Sequence, residues 1–193
     1  MSSEEIKQKI VITAIECIES EGFQNVTIRK IAARAGVNVA AVNYHFGSKE
    51  QLLQIVMQAS LQESFVNNIN DYSELWKTET RKALKLFLTE TLKGAINYPN
   101  LTKAHFSSVF NYNNYETDSM KMFTDFMHRF YKLIQDILKQ NGEQGKIAAA
   151  QLFSTILIAG MMPELYSDFS QLDMKSPEIQ DKFIENLMQN YIV

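Results

Sequence analysis

Glycine and proline interrupt this chain rarely, since its 193 residues contain seven glycines and three prolines. Between these breakers, apolar residues recur at three- and four-residue steps, the spacing that places side chains on one face of an α-helix. Runs that alternate apolar and polar residues, which are typical of half-buried strands, are few. The sequence therefore predicts an all-α protein of about nine helices, and its hydrophobic content of 46% permits a sizeable core.

Three features of the sequence argue against other classes of protein. The single cysteine, Cys17, rules out an internal disulfide framework and a multi-cysteine zinc site, and it fits a reducing compartment. The opening segment MSSEEIKQK has no apolar core, so it does not predict a signal peptide. The longest apolar run, residues 156–163, is far shorter than the ~20 residues that cross a bilayer. We expect a soluble, cytoplasmic protein with no membrane partner and no cofactor.

The first 48 residues predict three helices separated by glycines. A capping box at Ser2 begins the first helix, and Gly22 is well placed to end it. Thr27 and Asn38 are candidate N-caps of the second and third helices, and Gly36 lies between these two. Two short helices joined by a glycine turn form a helix-turn-helix.

The third predicted helix carries a face that suits the major groove of DNA. With Val42 turned inward, the rotation of about 100° per residue turns Ala40, Ala41, Asn43 and Tyr44 outward. Alanine methyl groups can contact thymine methyl groups, and an asparagine amide can pair with adenine. We therefore expect this helix to read base pairs. The alternative interpretation of the same spacing is an ordinary packing unit whose polar residues are only solvated.

Positive charge is concentrated in the same segment. Residues 24–50 contain four basic residues and one acid, a net +3, whereas the rest of the chain has 15 basic and 21 acidic residues, a net −6. Arg29 lies near the start of the second helix, within reach of a base or a phosphate. Lys49 begins the fourth helix and adds a cation to the free backbone N–H groups there. Tyr44 and His45 are expected to hydrogen-bond the DNA backbone.

The segment TIRKIAARAGVNVAAVNYHFGSKEQLL, residues 27–53, resembles the DNA-binding signature of TetR-type transcriptional regulators. The shared features are a threonine-initiated helix, IA..AGV through the turn, and a recognition helix that closes in Tyr-His-Phe before a small pair and Lys-Glu. The resemblance implies a homodimeric repressor that a small molecule releases from a palindromic operator. It also implies DNA contacts at matching positions, namely Thr27, Arg29, Ala40, Ala41, Asn43, Tyr44, His45 and Lys49. Many relatives have tyrosine where this chain has Asn43, a difference that concerns the operator sequence.

Two domains are predicted, a DNA-binding domain over residues 1–48 and a ligand-binding and dimerisation domain over residues 49–193. No linker rich in glycine or proline separates them. A second capping box, Ser48 with Gln51, begins a long helix that runs to about Asn68 and is expected to act as a rigid lever. Further helices are predicted near residues 79–96, 101–110, 122–141, 146–165 and 177–191.

The larger domain contains two sets of candidate functional residues. Bulky apolar side chains with two histidines as polar handles are predicted to surround a pocket for an apolar or aromatic effector: Phe65, Phe87, Phe106, Phe110, Phe123, Phe126, Met127, Phe130, His105 and His128. The last two helices carry more apolar surface than one neighbour covers and are predicted to pair across a two-fold axis. The predicted dimer residues are Leu152, Phe153, Ile156, Leu157, Phe183, Ile184, Leu187, Met188 and Tyr191.

The sequence gives little support to an enzyme or to a metal site. It has no glycine-rich phosphate loop and no G-x-S-x-G motif. Its three histidines are far apart and have no cysteine or acid at metal-ligand spacing. The sequence therefore predicts a DNA-binding regulator without a metal or catalytic residues. The alternative function is a helical adaptor or regulator whose C-terminal domain responds to a protein partner.

Overall fold

The structure is a computed structural model that describes residues 2–193, and within that range it contains α-helices but no strands. The all-α prediction is confirmed. The helices are α1 (Ser3–Glu21), α2 (Ile28–Ala35), α3 (Val39–Phe46), α4 (Lys49–Leu61), α5 (Asn68–Asp71), α6 (Ser73–Thr78), α7 (Thr80–Asn97), α8 (Pro99–Tyr112), α9 (Asp118–Ile134), α10 (Gly142–Met161), α11 (Pro163–Ser170) and α12 (Pro177–Tyr191). Three short helices, α5, α6 and α11, account for the excess over the predicted nine.

The predicted lever helix is interrupted. Regular α-helix ends at Leu61, and the next six residues, Gln62–Asn67, form a π-helical segment before α5. A π-helical turn holds more residues than an α-helical turn. The periodicity of α4 therefore cannot be extended through this segment to Asn68.

The chain forms two compact units. Unit 1 contains the chain up to Leu61 together with Asn100–Met120, and unit 2 contains Gln62–Pro99 and Lys121–Val193. Compactness thus groups α4 and most of α8 with the N-terminal helices. The predicted boundary between residues 48 and 49 concerns function and stays a prediction.

Local signals define the ends of the helices in unit 1. The Ser2 hydroxyl accepts a hydrogen bond from Glu5 N at 3.2 Å, and Thr27 Oγ1 accepts one from Lys30 N at 3.3 Å. Asn38 Oδ1 caps α3 by accepting from Ala41 N at 2.6 Å. Gly36 has φ +65°, a left-handed conformation that glycine adopts without a Cβ penalty. The predicted caps of the first three helices are therefore present.

Helix α8 belongs to the core of unit 1. Its residues Leu101 and Ala104 share one hydrophobic cluster with Ile10, Ile31 and Val42 of the N-terminal helices. Burial of this shared surface is the main force that fixes α8 to them.

A carboxylate of α1 also caps α8. Glu19 Oε2 accepts hydrogen bonds from Asn100 N at 3.0 Å and Leu101 N at 3.1 Å, and the Asn100 amide donates to Glu19 O at 2.8 Å. The first N–H groups of a helix have no partner within it, and an anion there is stabilised by the helix dipole. Glu19 therefore fastens the start of α8 to α1.

A buried polar pair joins α8 to α4. The Ser60 hydroxyl donates to Met57 O at 3.0 Å and lies 3.0 Å from His105 Nε2. Because the hydroxyl proton is used, His105 Nε2–H is the donor of this second bond. His105 Nδ1 is buried without a partner among the described residues, and burial lowers the pKa of His105 from 6.5 to about 4. His105 is therefore neutral at pH 7.

Unit 2 is built on a close crossing of α7 and α10. Gly160 lies against Ala95 and the carbonyl oxygen of Leu92, so a Cβ at position 160 would overlap α7. Beside this crossing, six phenylalanines form one aromatic cluster with ring centroids 4.5 to 6.5 Å apart. We call it the phenylalanine cluster, and its members are Phe65, Phe87, Phe123, Phe126, Phe130 and Phe153.

Within residues 2–193, no single helix combines the length and apolar character that a bilayer crossing requires, whereas α10 and α11 together pass by length and composition but meet at a bend of 89°.

Candidate nucleic-acid interface

Helix α3 presents the face that its sequence predicts. Val42 and Phe46 turn into the core of unit 1, where their side chains are 0% and 4% exposed. On the opposite side, Ala40 and Asn43 are exposed and Tyr44 is 85% exposed. A tyrosine that is exposed to this extent contributes little to the core, so the face is free to meet another molecule.

Three other predicted DNA-binding residues are only partly exposed. Ala41 and His45 lie at the edges of the α3 face, and the His45 ring packs edge-on against Tyr44 with centroids 5.2 Å apart. Lys49 lies at the start of α4. The helical period places Val39 on the same side of α3 as Val42, but Val39 is 39% exposed. As the first residue of α3, it has no preceding helical turn to cover it.

The basic residues of this segment divide into two pairs. Lys30 forms an ion pair with Glu21, and Arg34 forms one with Glu16 at 3.5 Å while donating to Ser20 Oγ at 3.0 Å. These contacts hold α2 on α1. In contrast, within the part of the chain that the structure describes, no ion pair involves Arg29 or Lys49.

Arg29 and Lys49 are therefore the two cations of residues 24–50 that an external phosphate can use. Arg29 is exposed in the first turn of α2, directly after the cap that Thr27 provides. Lys49 begins α4, where Ser48 Oγ accepts from Gln51 N at 3.2 Å. The free N–H groups of a helix start and a lysine together favour an anion. Sequence distance alone could not show which of the four cations were already paired.

One acid lies beside Lys49. The pKa of Glu50 is lowered, mainly by a hydrogen bond from its own backbone N–H and then by one from Ser48. Glu50 is therefore ionised at neutral pH, and its charge opposes phosphate at the start of α4. We expect Lys49 to contribute less to DNA affinity than Arg29.

The predicted effector residues do not form one set. Five of them belong to the phenylalanine cluster, where Phe123 is partly exposed and the other four are buried, and Met127 is partly exposed on α9. His105 is in unit 1, as are Phe106 and Phe110, whose rings contact each other at 6.4 Å. Phe110 is 75% exposed and His128 is exposed, because the helical stripes of α8 and α9 turn these side chains outward. Which residues contact an effector stays a prediction.

The predicted dimer residues are mostly inside one chain. Seven of the nine are buried, at 9% exposure or less, and only Phe183 and Tyr191 are partly exposed. The buried residues are Leu152, Phe153, Ile156, Leu157, Ile184, Leu187 and Met188. The physical reason is that α7 covers the most apolar face of α10 and also packs on α12. These seven side chains are buried within one chain, the outward faces of α10 and α12 carry other residues, and which residues contact a partner stays a prediction.

The outward face of α10 is nevertheless free of charge. From Ile147 to Met161 the helix contains no acidic or basic residue. Ile147 is 44% exposed and Ile158 is 38% exposed, with Gln151 and Ser154 exposed between them. A surface helix normally places charged residues on its solvent face. This uncharged face, residues 147 to 158, is a candidate for contact with a second chain.

Comparison with known proteins identifies relatives of the N-terminal part. Residues 10–56 match the family model of bacterial regulatory proteins, tetR family. The HTH-type transcriptional dual regulator CecR of Shigella flexneri is 42% identical over 52 residues, which are 27% of this chain and 23% of CecR. The HTH-type transcriptional regulator SrpR of Pseudomonas putida is 38% identical over 55 residues, which are 28% of this chain and 26% of SrpR. The alignment thus spans only about a quarter of the length of these two relatives.

Over the whole chain, sequence identity to known proteins is lower than over the N-terminal part, but the fold is clearly shared. The probable HTH-type transcriptional regulator YttP of Bacillus subtilis is 21% identical over 192 residues, covering 94% of this chain and 89% of YttP. The solved structure of a TetR transcription regulator from Haloarcula marismortui has a TM-score of 0.69 at 18% identity and covers 98% of this chain and all of that one. Such distant structural similarity shows a shared fold and says nothing about the ligand.

Proposed function

Because this chain carries the DNA-binding domain of the tetR family of bacterial regulatory proteins, we propose that it is a sequence-specific transcriptional repressor and not an enzyme. It acts in the cytoplasm as a homodimer on a palindromic operator. A small, largely apolar or aromatic effector releases it from DNA. The observation that carries the proposal is the exposed, uncharged face of α3, preceded in the chain by Arg29 and followed by Lys49, two cations that form no ion pair within residues 2–193.

The exposed face of α3 and the two cations are proposed to contact different parts of the DNA. Asn43 and the exposed alanine at position 40 meet base edges, where an amide pairs with adenine and a methyl group meets thymine. Tyr44 and His45 hydrogen-bond the DNA backbone. Arg29 and Lys49 bind phosphates, which fixes the register of α3 without specifying sequence.

Selection of binding sites from a random DNA library by the full chain tests the proposal directly. We expect enrichment of a sequence with a dyad, because a two-fold dimer places two recognition helices about one DNA turn apart. Failure to enrich any sequence would overturn the function, and enrichment of a site without a dyad would overturn the dimeric mode of binding.

Asn43→Ala is expected to relax preference at one or two base pairs by about 1–3 kcal/mol, since a bidentate amide–base contact is lost. The measurement is a competition gel shift with operator variants at each base pair. Lys49→Ala is the matched comparison, because loss of a phosphate contact weakens all sequences alike. Unchanged base preference in an Asn43→Ala, Tyr44→Ala double variant would exclude α3 as the reader.

Arg29→Ala and Lys49→Ala are each expected to reduce the slope of log Kobs against log salt by about one, because each removes one phosphate contact. Lys30→Ala and Arg34→Ala are the matched controls, since their charges are already paired with acids of α1. The measurement is operator affinity between low and moderate salt. Equal slopes for all four variants would contradict the division into free and paired cations.

The dimer interface is proposed on the outward faces of α10 and α12, in place of their buried faces. Uncharged residues are exposed on both helices, namely Ile147 and Ile158 on α10 and Asn186 and Asn190 in the C-terminal half of α12, whose N-terminal half exposes the ion pair of Glu178 and Lys182. Around a two-fold axis the same face meets its own copy, so an uncharged face avoids repulsion between like charges.

Ile158→Asp is expected to convert the dimer to a monomer at micromolar concentration, because it places charges of the same sign near the axis of the proposed interface. Light scattering measures the mass. The control is Ile12→Asp on α1, where an isoleucine is 59% exposed in unit 1. A dimer that survives Ile158→Asp and Ile147→Asp together would place the interface elsewhere.

We propose the phenylalanine cluster as the region that senses the effector. It is a group of six aromatic rings, five of them buried, and this apolar surface supports an apolar or aromatic ligand over a strongly charged one. A ligand releases DNA only through its preference for the non-binding conformer. The expected coupling is about 1–3 kcal/mol, or about 5–150-fold in operator affinity.

A further inference from the structure

Unit 1 contains one carboxylate that binds α4 at two points. Asp118 Oδ2 accepts a hydrogen bond from Gln54 Nε2 at 2.6 Å and another from Gln58 Nε2 at 3.2 Å. We propose that Asp118 is a positioning residue for DNA binding, which sets the position of α4 and thereby of Lys49 and α3. The inference rests on the proposed function, since it assigns the residue through which DNA binding is regulated.

The two amides are suited to one acceptor. Gln54 and Gln58 are four residues apart, so they lie one above the other on the same face of α4. An ionised carboxylate accepts bonds from both at once, and such bonds are stronger than those between neutral groups. Gln54 is five residues from Lys49, a rise of about 7.5 Å along the helix. Asp118 therefore fixes α4 close to the end that carries the predicted phosphate contact.

A groove lies along the same side of α4. Its volume is about 570 Å³, and it is lined by Leu53 and Met57 of α4, by Phe23 and by residues 116–119. Asp118 reaches α4 at this groove. The groove leaves this side of α4 open to solvent beside the two amide bonds, while the opposite side of the helix is buried in the core of unit 1. The bonds are exposed to water, which competes for them, so they can open without unfolding unit 1.

Asp118 also marks the start of a long helix. It is the first residue of α9, whose N-terminal turn is capped by Thr117 Oγ1, which accepts from Met120 N at 3.4 Å. Further along the same uninterrupted helix, Phe126 and Phe130 belong to the phenylalanine cluster. A helix that shifts along its axis carries its first residue with it. An effector that shifts α9 when it repacks the cluster moves Asp118 with the helix.

This connection separates Asp118 from the other contacts that hold unit 1 together. Glu19 caps the start of α8, and His105 bonds Ser60 in a buried site. Neither contact involves the first three turns of α4 or the start of α9. Of these three residues, only Asp118 lies on α9, the helix that also carries Phe126 and Phe130. Its carboxylate contacts the second and third turns of α4.

The test compares three variants of the full chain. Asp118→Ala removes the acceptor, the double variant Gln54→Leu, Gln58→Leu removes both donors without a change of charge, and Glu116→Ala is the control. Glu116 lines the same groove and carries the same charge as Asp118, but within residues 2–193 its carboxylate makes no hydrogen bond to α4. The control corrects for the gain in DNA affinity that follows removal of any nearby negative charge.

Amide hydrogen exchange of α4 is the first readout, because it needs no DNA. Asp118→Ala and the double glutamine variant are expected to raise exchange at residues 53–61 about tenfold, and Glu116→Ala less than twofold. Combining the acceptor and donor changes should add no further exchange, since all three residues act in one contact. Unchanged exchange in Asp118→Ala would overturn the inference, whatever the DNA result.

Affinity for the selected operator is the second readout. Relative to Glu116→Ala, we expect Asp118→Ala to weaken operator binding by about three- to tenfold while thermal stability stays close to that of the unmodified chain. Faster exchange with unchanged operator affinity would reduce Asp118 to a structural contact and overturn its role in DNA binding. If the unmodified chain binds no DNA, the proposed function fails together with that role, while the exchange result still decides whether Asp118 holds α4.

Discussion

Replacement of Phe153 by alanine is expected to lower the free energy of unfolding by about 3–5 kcal/mol, a large part of the stability of a typical domain. Phe153 is 1% exposed, and its ring contacts five other phenylalanines, the nearest at 4.9 Å from Phe126. Truncation removes buried apolar surface and leaves a cavity that a close-packed interior cannot fully close. Urea denaturation followed by circular dichroism measures the loss.

Phe169→Ala is the matched control for this change. Phe169 is the same residue type but is 87% exposed on α11, so its loss should change stability by less than about 0.5 kcal/mol. Both variants are best compared in a chain that also carries Ile158→Asp, because unfolding of a dimer depends on protein concentration. If Phe153 served dimer contact and not the core, its large effect would disappear in this monomeric background.

Acid is expected to destabilise unit 1 through His105. Its pKa is about 4 in the folded chain, against an ordinary value of 6.5, because the imidazole is buried. Between these two pH values the unfolded chain binds a proton that the folded chain does not. The stability from neutral His105 is thus fully present above pH 6.5, declines as the pH falls towards 4, and amounts to about 3 kcal/mol in total.

His105→Gln isolates this effect from the titration of the carboxylates. Glutamine can still donate to Ser60 Oγ but does not bind a proton in this pH range. Urea denaturation at pH 7 and at pH 4.5 should therefore show a larger loss for the unmodified chain than for His105→Gln. Parallel losses in the two proteins would mean that His105 is hydrated or protonated in the folded chain.

Sequence reasoning was most successful where structure depends on neighbouring residues. The N-caps at Thr27 and Asn38 and the left-handed Gly36 are determined within one turn of chain, so their side-chain chemistry alone indicates where α2 and α3 begin and end. The orientation of α3 followed from one buried residue, Val42, and the helical period. The resemblance to TetR-type regulators rests on the same local features, and the family model confirms it over residues 10–56.

Sequence patterns indicate less where structure depends on tertiary contacts. Helix α10 is apolar on most sides, so its sequence does not indicate which face meets α7 and which faces outward. The close approach at Gly160, where only hydrogen fits beside Ala95, decides this and buries Leu152 and Ile156. Likewise, the two amide bonds of Asp118 join residues 60 and 64 positions apart in the chain, a distance at which no local pattern exists.

Unit 1 is built from two separate stretches of the chain, and this affects how the protein folds during its synthesis. Its core requires Leu101 and Ala104, and its second stretch ends at Met120, 59 residues after Leu61. At a synthesis rate of roughly 5–20 residues per second, those residues take about 3–12 s to appear. During that interval the nascent helices α1 to α4 expose the apolar surface that α8 later covers. Unit 1 therefore cannot be completed until translation has passed through Gln62–Pro99, the first stretch of unit 2.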